Sequence, residues 1–504
     1  MLNSSKQIKL GAAISYFSIA FNIIAGFIYT PWMISQIGKS DYGLFTLANS
    51  LITLFLVDFG LGQAVSRYVS KYRAEGNEEK VNNFLGLVYK LYVLIDVVIL
   101  AVFIVIFFMI DTIYVKLTPD ELEKFKIVYV ISSAFAIFNF PFVTLNGILT
   151  SYEKFIPLKL ADLLCKVVTI SITVTALLLG GGLFELVAAN AIAGIFSVAF
   201  KFLCIKISTP IRVNFKFADK SLLKDILGFS IWVTVSLLAQ RLIFNITPTI
   251  LGIVASTSAI AVFGVITTIE GYTYTITSAI NGMFMPKISR IYASDNAEKD
   301  LTPLLLSVGK FQYALNSIII VGFAVVGRLF IKLWMGEEYM EAYLGILLVI
   351  VPGLFFNSLQ IGNTAMVVQK KVHIQAYIAL ISGAINIVLS MIFSYYWGVI
   401  GASLSIFVAY MFRAVATNIV CYKKLGFDIP RFAMECYLRM SIPLVITLVL
   451  GFLISGALKA DGWIMLIVES FLIVLIYFIS LFFIGLKREE RVQIFSKIKS
   501  LLKR

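Results

Sequence analysis

Charge is scarce in this sequence. Asp, Glu, Lys and Arg make up 14% of its 504 residues, against about a quarter in a soluble domain. Histidine is rarer still, with His373 standing alone. One imidazole cannot build a metal cluster, and no Ser/His/Asp set can be assembled around it. The four cysteines, Cys165, Cys204, Cys421 and Cys436, include no C-x-x-C pair, so each reads as a small apolar side chain. No G-x-x-x-x-G-K-[ST] run occurs, which excludes a phosphate-loop ATPase. The chain is therefore expected to hold no metal or cofactor and not to be an enzyme.

What is abundant is apolar surface: 60% of the residues are hydrophobic and the mean hydropathy is +0.94. Apolar runs long enough to cross a hydrocarbon core of about 30 Å recur along the whole length. The expected fold class is all-α, a polytopic membrane protein. Fourteen spans are predicted, at 11–35, 42–68, 83–110, 125–150, 157–179, 183–207, 226–254, 259–287, 303–333, 342–368, 373–396, 399–422, 438–457 and 463–486. No cleavage site follows the first apolar run, so it reads as an uncleaved anchor.

The net charge of +14 would suggest nucleic acid in a soluble protein. Here the basic residues collect on alternate loops, and no nucleic-acid partner is expected. The N-terminus, every second loop and the C-terminal tail hold 30 of the 42 Lys and Arg, and the intervening loops hold seven. By the positive-inside rule both termini are cytoplasmic. Five basic residues remain inside spans: Lys90, Lys166, Arg241, Lys310 and Arg413.

The two halves of the chain repeat in one register. Thr30-Pro31 matches Thr247-Pro248, Lys90 matches Lys310, Glu153-Lys154 matches Gln369-Lys370, and Gly182 matches Gly398. The loop from Ser70-Lys71 to Glu79-Lys80 matches that from Ser289-Arg290 to Glu298-Lys299. Six spans per copy give two copies of the same orientation, as in transporters whose substrate binds between parallel repeats. The expected organisation is an N-lobe at 1–210, a C-lobe at 211–425, two further spans at 426–486 and a basic amphipathic tail at 487–504. Pro31 and Pro248 lie deep in the first helix of each copy, where proline kinks a helix. They are candidate hinges or static packing kinks.

A charge inside a span is costly and faces a partner or a hydrated cavity. Arg241 and Glu270 both fall roughly 18–20 Å from the same end of one predicted hairpin, near mid-membrane. They read either as a structural ion pair or as a cavity pair, with Arg241 gripping an anion and Glu270 holding it or exchanging a cation. Glu270, Tyr274, Thr277 and Asn281 recur on one helix face, as expected of a helix that lines water. Asn49, Ser50, Thr53 and Asp58 make a weaker set in the second span. The matched positions of Lys90 and Lys310 suggest that they face one cavity, with snorkelling to the membrane surface as the alternative. Lys166 has Asp162 at i−4, a spacing that lets the two neutralise each other. Arg and Lys in such a place favour an anionic ligand such as phosphate. Beyond Lys487 the apolar residues Phe495, Ile498, Leu501 and Leu502 share a face, which suggests a helix lying on anionic lipid.

The sequence resembles the multidrug/oligosaccharidyl-lipid/polysaccharide exporter superfamily, and within it the polysaccharide transporter branch of Wzx-type O-antigen and capsule flippases. The resemblance rests on the six-plus-six-plus-two layout. It rests also on Pro31 with Ile37-Gly38-Lys39-Ser40-Asp41-Tyr42-Gly43-Leu44-Phe45, and on Asp58-Phe59-Gly60-Leu61-Gly62 followed by Arg67-Tyr68 and Lys71-Tyr72. It implies two six-helix lobes around a cationic cavity for an undecaprenyl-pyrophosphate-linked oligosaccharide, with the lipid tail left in the bilayer of a bacterial or archaeal cell membrane. Arg241, Lys90 and Lys310 fit as substrate-binding cations by position. Glu270 and Asp58 are candidates for Na+ or H+ coupling. A polysaccharide polymerase and other export proteins are the implied protein partners. A lipid II flippase or a cation-coupled multidrug exporter of the same superfamily is the alternative.

Overall fold

The computed structural model describes residues 4–278, 284–292, 297–458 and 461–492. The chain forms two compact units, Met1–Gly264 and Val265–Arg504. The described residues of the first hold α1 (Ser4–Ile37), α2 (Lys39–Phe55), α3 (Leu61–Ala74), α4 (Glu78–Ile113), α5 (Pro119–Asn139), α6 (Thr144–Ser151), α7 (Phe155–Leu178) and α8 (Leu183–Ser208). They continue with α9 (Lys220–Phe244), α10 (Ile246–Val254) and the start of α11 (Thr257–Ser278). The second holds α12 (Met285–Tyr292), α13 (Ala297–Met335), α14 (Glu341–Ile350), α15 (Gly353–Phe356), α16 (Gln360–Val368), α17 (Val372–Leu425), α18 (Ile429–Phe432), α19 (Arg439–Leu458) and α20 (Gly462–Ser480).

Helices dominate because a backbone crossing hydrocarbon must satisfy its own hydrogen bonds. Twelve helices among the described residues are long and apolar enough to cross a membrane. Two details reconcile that number with fourteen spans. First, α17 is 54 residues long and contains Gly398 at φ 53°, ψ −129°, outside the helical region. It is two helices turning on one residue. The buried Ser405 hydroxyl donates to Asn386 Oδ1 across the turn at 3.0 Å, and a Cβ on Gly401 would overlap the carbonyl of Phe393. Tyr395, Tyr396 and Trp397 stand exposed at the turn, where aromatic residues favour a membrane–water boundary. Second, the span predicted at 42–68 is broken into α2 and α3 by Leu56–Gly60, where Phe59 and Gly60 adopt positive φ. Neither piece is a full span alone.

The segment around Gly38–Phe45 is fixed by local chemistry. Gly38, at φ 88°, turns the chain into α2. A capping box opens α5: Glu121 N donates to Thr118 Oγ1 at 3.3 Å, and Thr118 N donates to Glu121 Oε2 at 2.9 Å. The other oxygen of Glu121 accepts from Ser40 Oγ at 2.6 Å and from Thr257 Oγ1 at 2.5 Å. One carboxylate thus ties α2, α5 and the start of α11. Gly43 lets α2 approach the backbone there, since a Cβ would overlap the carbonyl oxygen of Thr257. The connection from α8 to α9 lies along α4: Arg212 N donates to Asn82 Oδ1 at 2.8 Å, Asn214 N to Asn82 O at 3.1 Å, and Asn214 Nδ2 to Asn83 Oδ1 at 2.7 Å.

In the second unit α13 packs against α14, α19 and α20. Two π-helical turns, Ala433–Leu438 and Leu481–Gly485, flank α19 and follow α20. Asn281 of the predicted polar stripe and the tail beyond Val492 lie outside the described residues.

Gly43→Ala is expected to lower the thermal midpoint in detergent, at a cost of about 1–3 kcal/mol for overpacking. Gly271→Ala, where a Cβ meets nothing within 4 Å, is expected to hold or raise it. Fluorescence-detected size-exclusion after heating compares the two, and equal midpoints would contradict the close approach of α2 to Thr257.

Candidate functional site

Asp58 sits in the break between α2 and α3. Its Oδ1 accepts from Gly60 N at 3.1 Å and its Oδ2 from Gly62 N at 3.4 Å. A break inside hydrocarbon frees the first N–H groups of the following helix, and an aspartate there satisfies them and complements the positive end of the helix dipole. Gly147 lets α6 meet α3, because a Cβ on it would stand 2.7 Å from the Gly62 carbonyl oxygen.

Arg241 lies in the last turn of α9, one turn before a kink at Asn245, whose backbone stays right-handed helical (φ −83°, ψ −23°). Pro248, three residues beyond Asn245, is buried near the start of α10. Proline has no N–H and its ring crowds the carbonyl four residues back, here Phe244, where α9 stops. Pro31, by contrast, lies inside continuous α1. Helix α9 packs against both α2 and α3, and the charge of Asp58 acts on the Arg241 guanidinium. Arg241 Nη1 is buried with no hydrogen-bond partner. Among the described residues the two form no ion pair within 4.0 Å, so the guanidinium is near a carboxylate without being consumed by it. The broken helix and the kinked helix of the first unit therefore bring together a cap and a cation that are 183 positions apart in the sequence.

The other predicted cations have different surroundings. Lys90 Nζ donates to the Phe217 carbonyl at 3.0 Å, stapling the α8–α9 connection to α4. Lys310, only 7% exposed, lies in the second unit. Its ammonium meets Glu435 Oε2 at 3.0 Å and Glu490 Oε1 at 2.8 Å. Glu435 sits on the first π-helical turn and also holds Lys487 at 2.8 Å and Arg431 at 3.0 Å. Asp162 departs from the sequence reading: it pairs with Lys201 of α8 at 3.0 Å and Lys159 at 3.9 Å, not with Lys166. The helix hairpin α7–α8 brings Lys201 closer than the spacing on one helix does.

Glu270 belongs to the second unit and is half-buried on α11. One and two turns beyond it, Tyr274 is exposed and Thr277 buried. Thr277 is the start of a polar run. Its carbonyl accepts from Gln312 Nε2 at 2.9 Å, and Asn357 Nδ2 donates to Asn316 Oδ1 at 3.0 Å. The α11 end of this run was legible in the sequence; Gln312, Asn316 and Asn357 were not. Nor were Asn139, Asn146 and Asn190, which with Asn49 and Thr53 line a cavity of about 550 Å³ inside the first unit. The signal there is fainter: an amide inside a span is as anomalous in kind as a charge, though smaller in cost.

An all-helical, multi-pass membrane protein with broken and kinked helices carrying buried charge is the class that this arrangement defines. The chain is similar in structure to a protein described as lipid II flippase MurJ in an inward closed conformation. That match has a TM-score of 0.75 at 16% identity and covers 94% of this chain and 98% of the other. It is similar also to a multidrug resistance MATE family transporter of the MOP superfamily in an inward-facing conformation, with a TM-score of 0.69 at 14% identity, covering 82% and 96%. A MOP superfamily transporter from Pyrococcus furiosus matches at 0.59 with 14% identity, covering 84% and 95%. These likenesses show the fold. No curated protein matches the sequence. Residues 9–292 match the model of the polysaccharide biosynthesis protein family, and the chain belongs to that family.

Two predictions follow from the charges. Asp58→Asn keeps an acceptor for the α3 N–H groups, whereas Asp58→Ala removes it, so Ala is expected to cost about 0.5–2 kcal/mol more in detergent unfolding. Equal losses would mean that the cap contributes nothing. In the second unit, burial alone would raise the Glu490 carboxyl, but hydrogen bonding and attraction from Lys310 leave it below its ordinary 4.5. A carboxyl depressed in the folded state stabilises it fully above the ordinary value, and the contribution is lost as pH falls through the folded one. Lys310→Met is expected to lower stability near neutral pH and to flatten its fall toward acid pH, because the folded carboxyl then no longer titrates below the unfolded one. Thermal midpoints from pH 7 down to pH 3 would show it, and superimposable profiles would contradict it.

Proposed function

We propose that this protein is a flippase that moves an undecaprenyl-pyrophosphate-linked oligosaccharide from the inner to the outer leaflet of a bacterial or archaeal cell membrane by alternating access, for surface polysaccharide assembly. The observation that carries the reading is Arg241. It is a half-buried cation in a predicted span, with Nη1 buried and unpaired among the described residues and the charge of Asp58 acting on it without an ion pair, in a chain of the polysaccharide biosynthesis family. A guanidinium in a low-dielectric site grips a pyrophosphate through charge-assisted, two-pronged hydrogen bonds. A neutral cargo would not need it.

In this reading 1–210 and 211–425 are the two repeats, 426–486 supports the lipid tail, and both termini face the cytoplasm. Pro31 and Pro248 are the hinges. Asp58 offsets part of the cost of holding the Arg241 charge between transport cycles, and Lys90 adds to the positive field. The Lys310 ammonium already holds two carboxylates, so it engages the headgroup only if that cluster opens. Asp58 or Glu270 takes the coupling Na+ or H+. The released head is handed to a polymerase or other export proteins outside.

The test is reconstitution into proteoliposomes with an undecaprenyl-pyrophosphate oligosaccharide, read by lectin access on the far side. Arg241→Ala is expected to lower the rate by about 10- to 100-fold, the equivalent of one charge-assisted hydrogen bond of roughly 1.5–3 kcal/mol. Lys332→Gln, on an exposed pair with Glu337, is expected to leave it unchanged. Wild-type movement by Arg241→Ala would remove the site. Movement of lipid II alone would transfer the chain to the function named for MurJ, and export of cationic drugs alone would transfer it to multidrug efflux.

A further inference from the structure

The cavity inside the first unit is separate from the Asp58–Arg241 pair and has a different chemistry. It is a half-open cleft lined by α2, α5, α6, α7 and α8 and the turn Phe140–Val143, and its volume of about 550 Å³ is that of a small-molecule site. Four amides line it: Asn49 from α2, Asn139 from α5, Asn146 from α6 and Asn190 from α8. Asn190 Nδ2 donates to the Leu186 carbonyl of its own helix at 2.8 Å. The side chains of Asn49, Asn139 and Asn146 make no hydrogen bond to another described residue. Asn49 and Asn146 are exposed to the cleft and Asn139 is half-buried, so three amides converging from three helices keep donors and acceptors that packing does not use. Water holds these positions until a ligand with matching hydroxyls displaces it.

The charge of the cavity selects its occupant. One acid and one base line it, Asp162 and Lys201, and they are bonded to each other at 3.0 Å. Neither is left to bind a cation or a phosphate, so the occupant is neutral. Three aromatic rings, Phe45, Phe135 and Phe142, stand among the aliphatic side chains of the remaining walls. Phe135 is held by contact with Gly194, where a Cβ would overlap its ring. Amides offer both donor and acceptor at one position, and aromatic faces take apolar C–H surface. A neutral molecule with hydroxyls around its edge and C–H groups on its faces satisfies both at once.

We infer that the amide-lined cavity between α2 and α8 is a binding site for a neutral carbohydrate, the sugar portion of the cargo. The inference rests on the flippase reading for its physiological ligand, but its chemistry stands on the cavity alone. It gives this protein two sites of different selectivity. Arg241 takes the charged linkage common to all such lipids, and the cavity reads the sugars that distinguish one from another.

Cys165 lines the cavity and is half-buried, whereas Cys204 is half-buried outside it. The two thiols make a reporter and an internal control. The purified protein in nanodiscs is alkylated with N-ethylmaleimide in the presence of maltotriose, chitotriose or N-acetyllactosamine, and each cysteine is quantified by peptide mass spectrometry. A bound sugar slows modification at Cys165 in proportion to occupancy, about fivefold at about four times its Kd, and leaves Cys204 unchanged. The variant Asn49→Ala/Asn146→Ala removes two amides that bond nothing in the protein, so it is expected to fold and to lose the protection. Absence of protection by all three sugars in the wild type overturns the proposal, as does protection undiminished in the variant. These probes carry neither pyrophosphate nor lipid. Sugar protection without lipid translocation therefore leaves the cavity standing while the flippase reading falls, and translocation without protection does the reverse.

Discussion

A helix that stops inside hydrocarbon leaves backbone N–H groups that water cannot reach, and the first unit stops one helix at Leu56–Gly60 and kinks another at Asn245. The stop is workable because Asp58 accepts from Gly60 and Gly62. The same carboxylate puts a negative charge near Arg241 without closing on it. One residue thus caps a broken span and makes a buried guanidinium tolerable. Without it α3 would start with unsatisfied donors and Arg241 would face only the desolvation cost of its charge. The kink at Asn245 follows from Pro248 and sets the end of the helix that carries Arg241. The break geometry and the charge geometry are one feature.

The second unit handles its buried charge in the opposite way. Lys310 is closed on by Glu435 and Glu490, and Glu435 also gathers Lys487 and Arg431. Each charge of this cluster has a partner, whereas Glu469 on α20 is buried with Oε1 unpaired among the described residues. The cluster fastens the first turn of the C-terminal segment to α13 and to the turn before α19. Lys90 and Lys310 match in sequence register, yet one staples a connecting segment through a carbonyl and the other locks a terminus through carboxylates. Equivalence of position along two repeats does not carry equivalence of role, because each ammonium reaches about 6 Å and answers to whatever loop or tail lies beside it.

The spans and the helical class were legible in the sequence because length and apolarity dictate them. The cavity-lining role of Asn49 and Thr53 was legible too, from polar residues in an apolar run. The break at Leu56–Gly60 was written in Asp58-Phe59-Gly60, but a 42–68 apolar run reads as one helix until Phe59 and Gly60 are seen at positive φ. The pairing of Asp162 was misread because i,i+4 spacing is visible in a sequence and a neighbouring helix is not. Lys201 lies 39 positions away and wins on geometry. The partners of Lys310 were hidden for the same reason, since Glu435 and Glu490 follow it by 125 and 180 residues.

The reversal at Gly398 bears on how the chain is made. A turn of one residue has no slack, so the two helices reach their final places only together, and the Asn386–Ser405 bond closes when both are set, with Tyr395, Tyr396 and Trp397 at the tip. Biogenesis of this part of the molecule is then a single event for two spans, and a side chain at position 398 would be felt first in membrane insertion and only afterwards in transport.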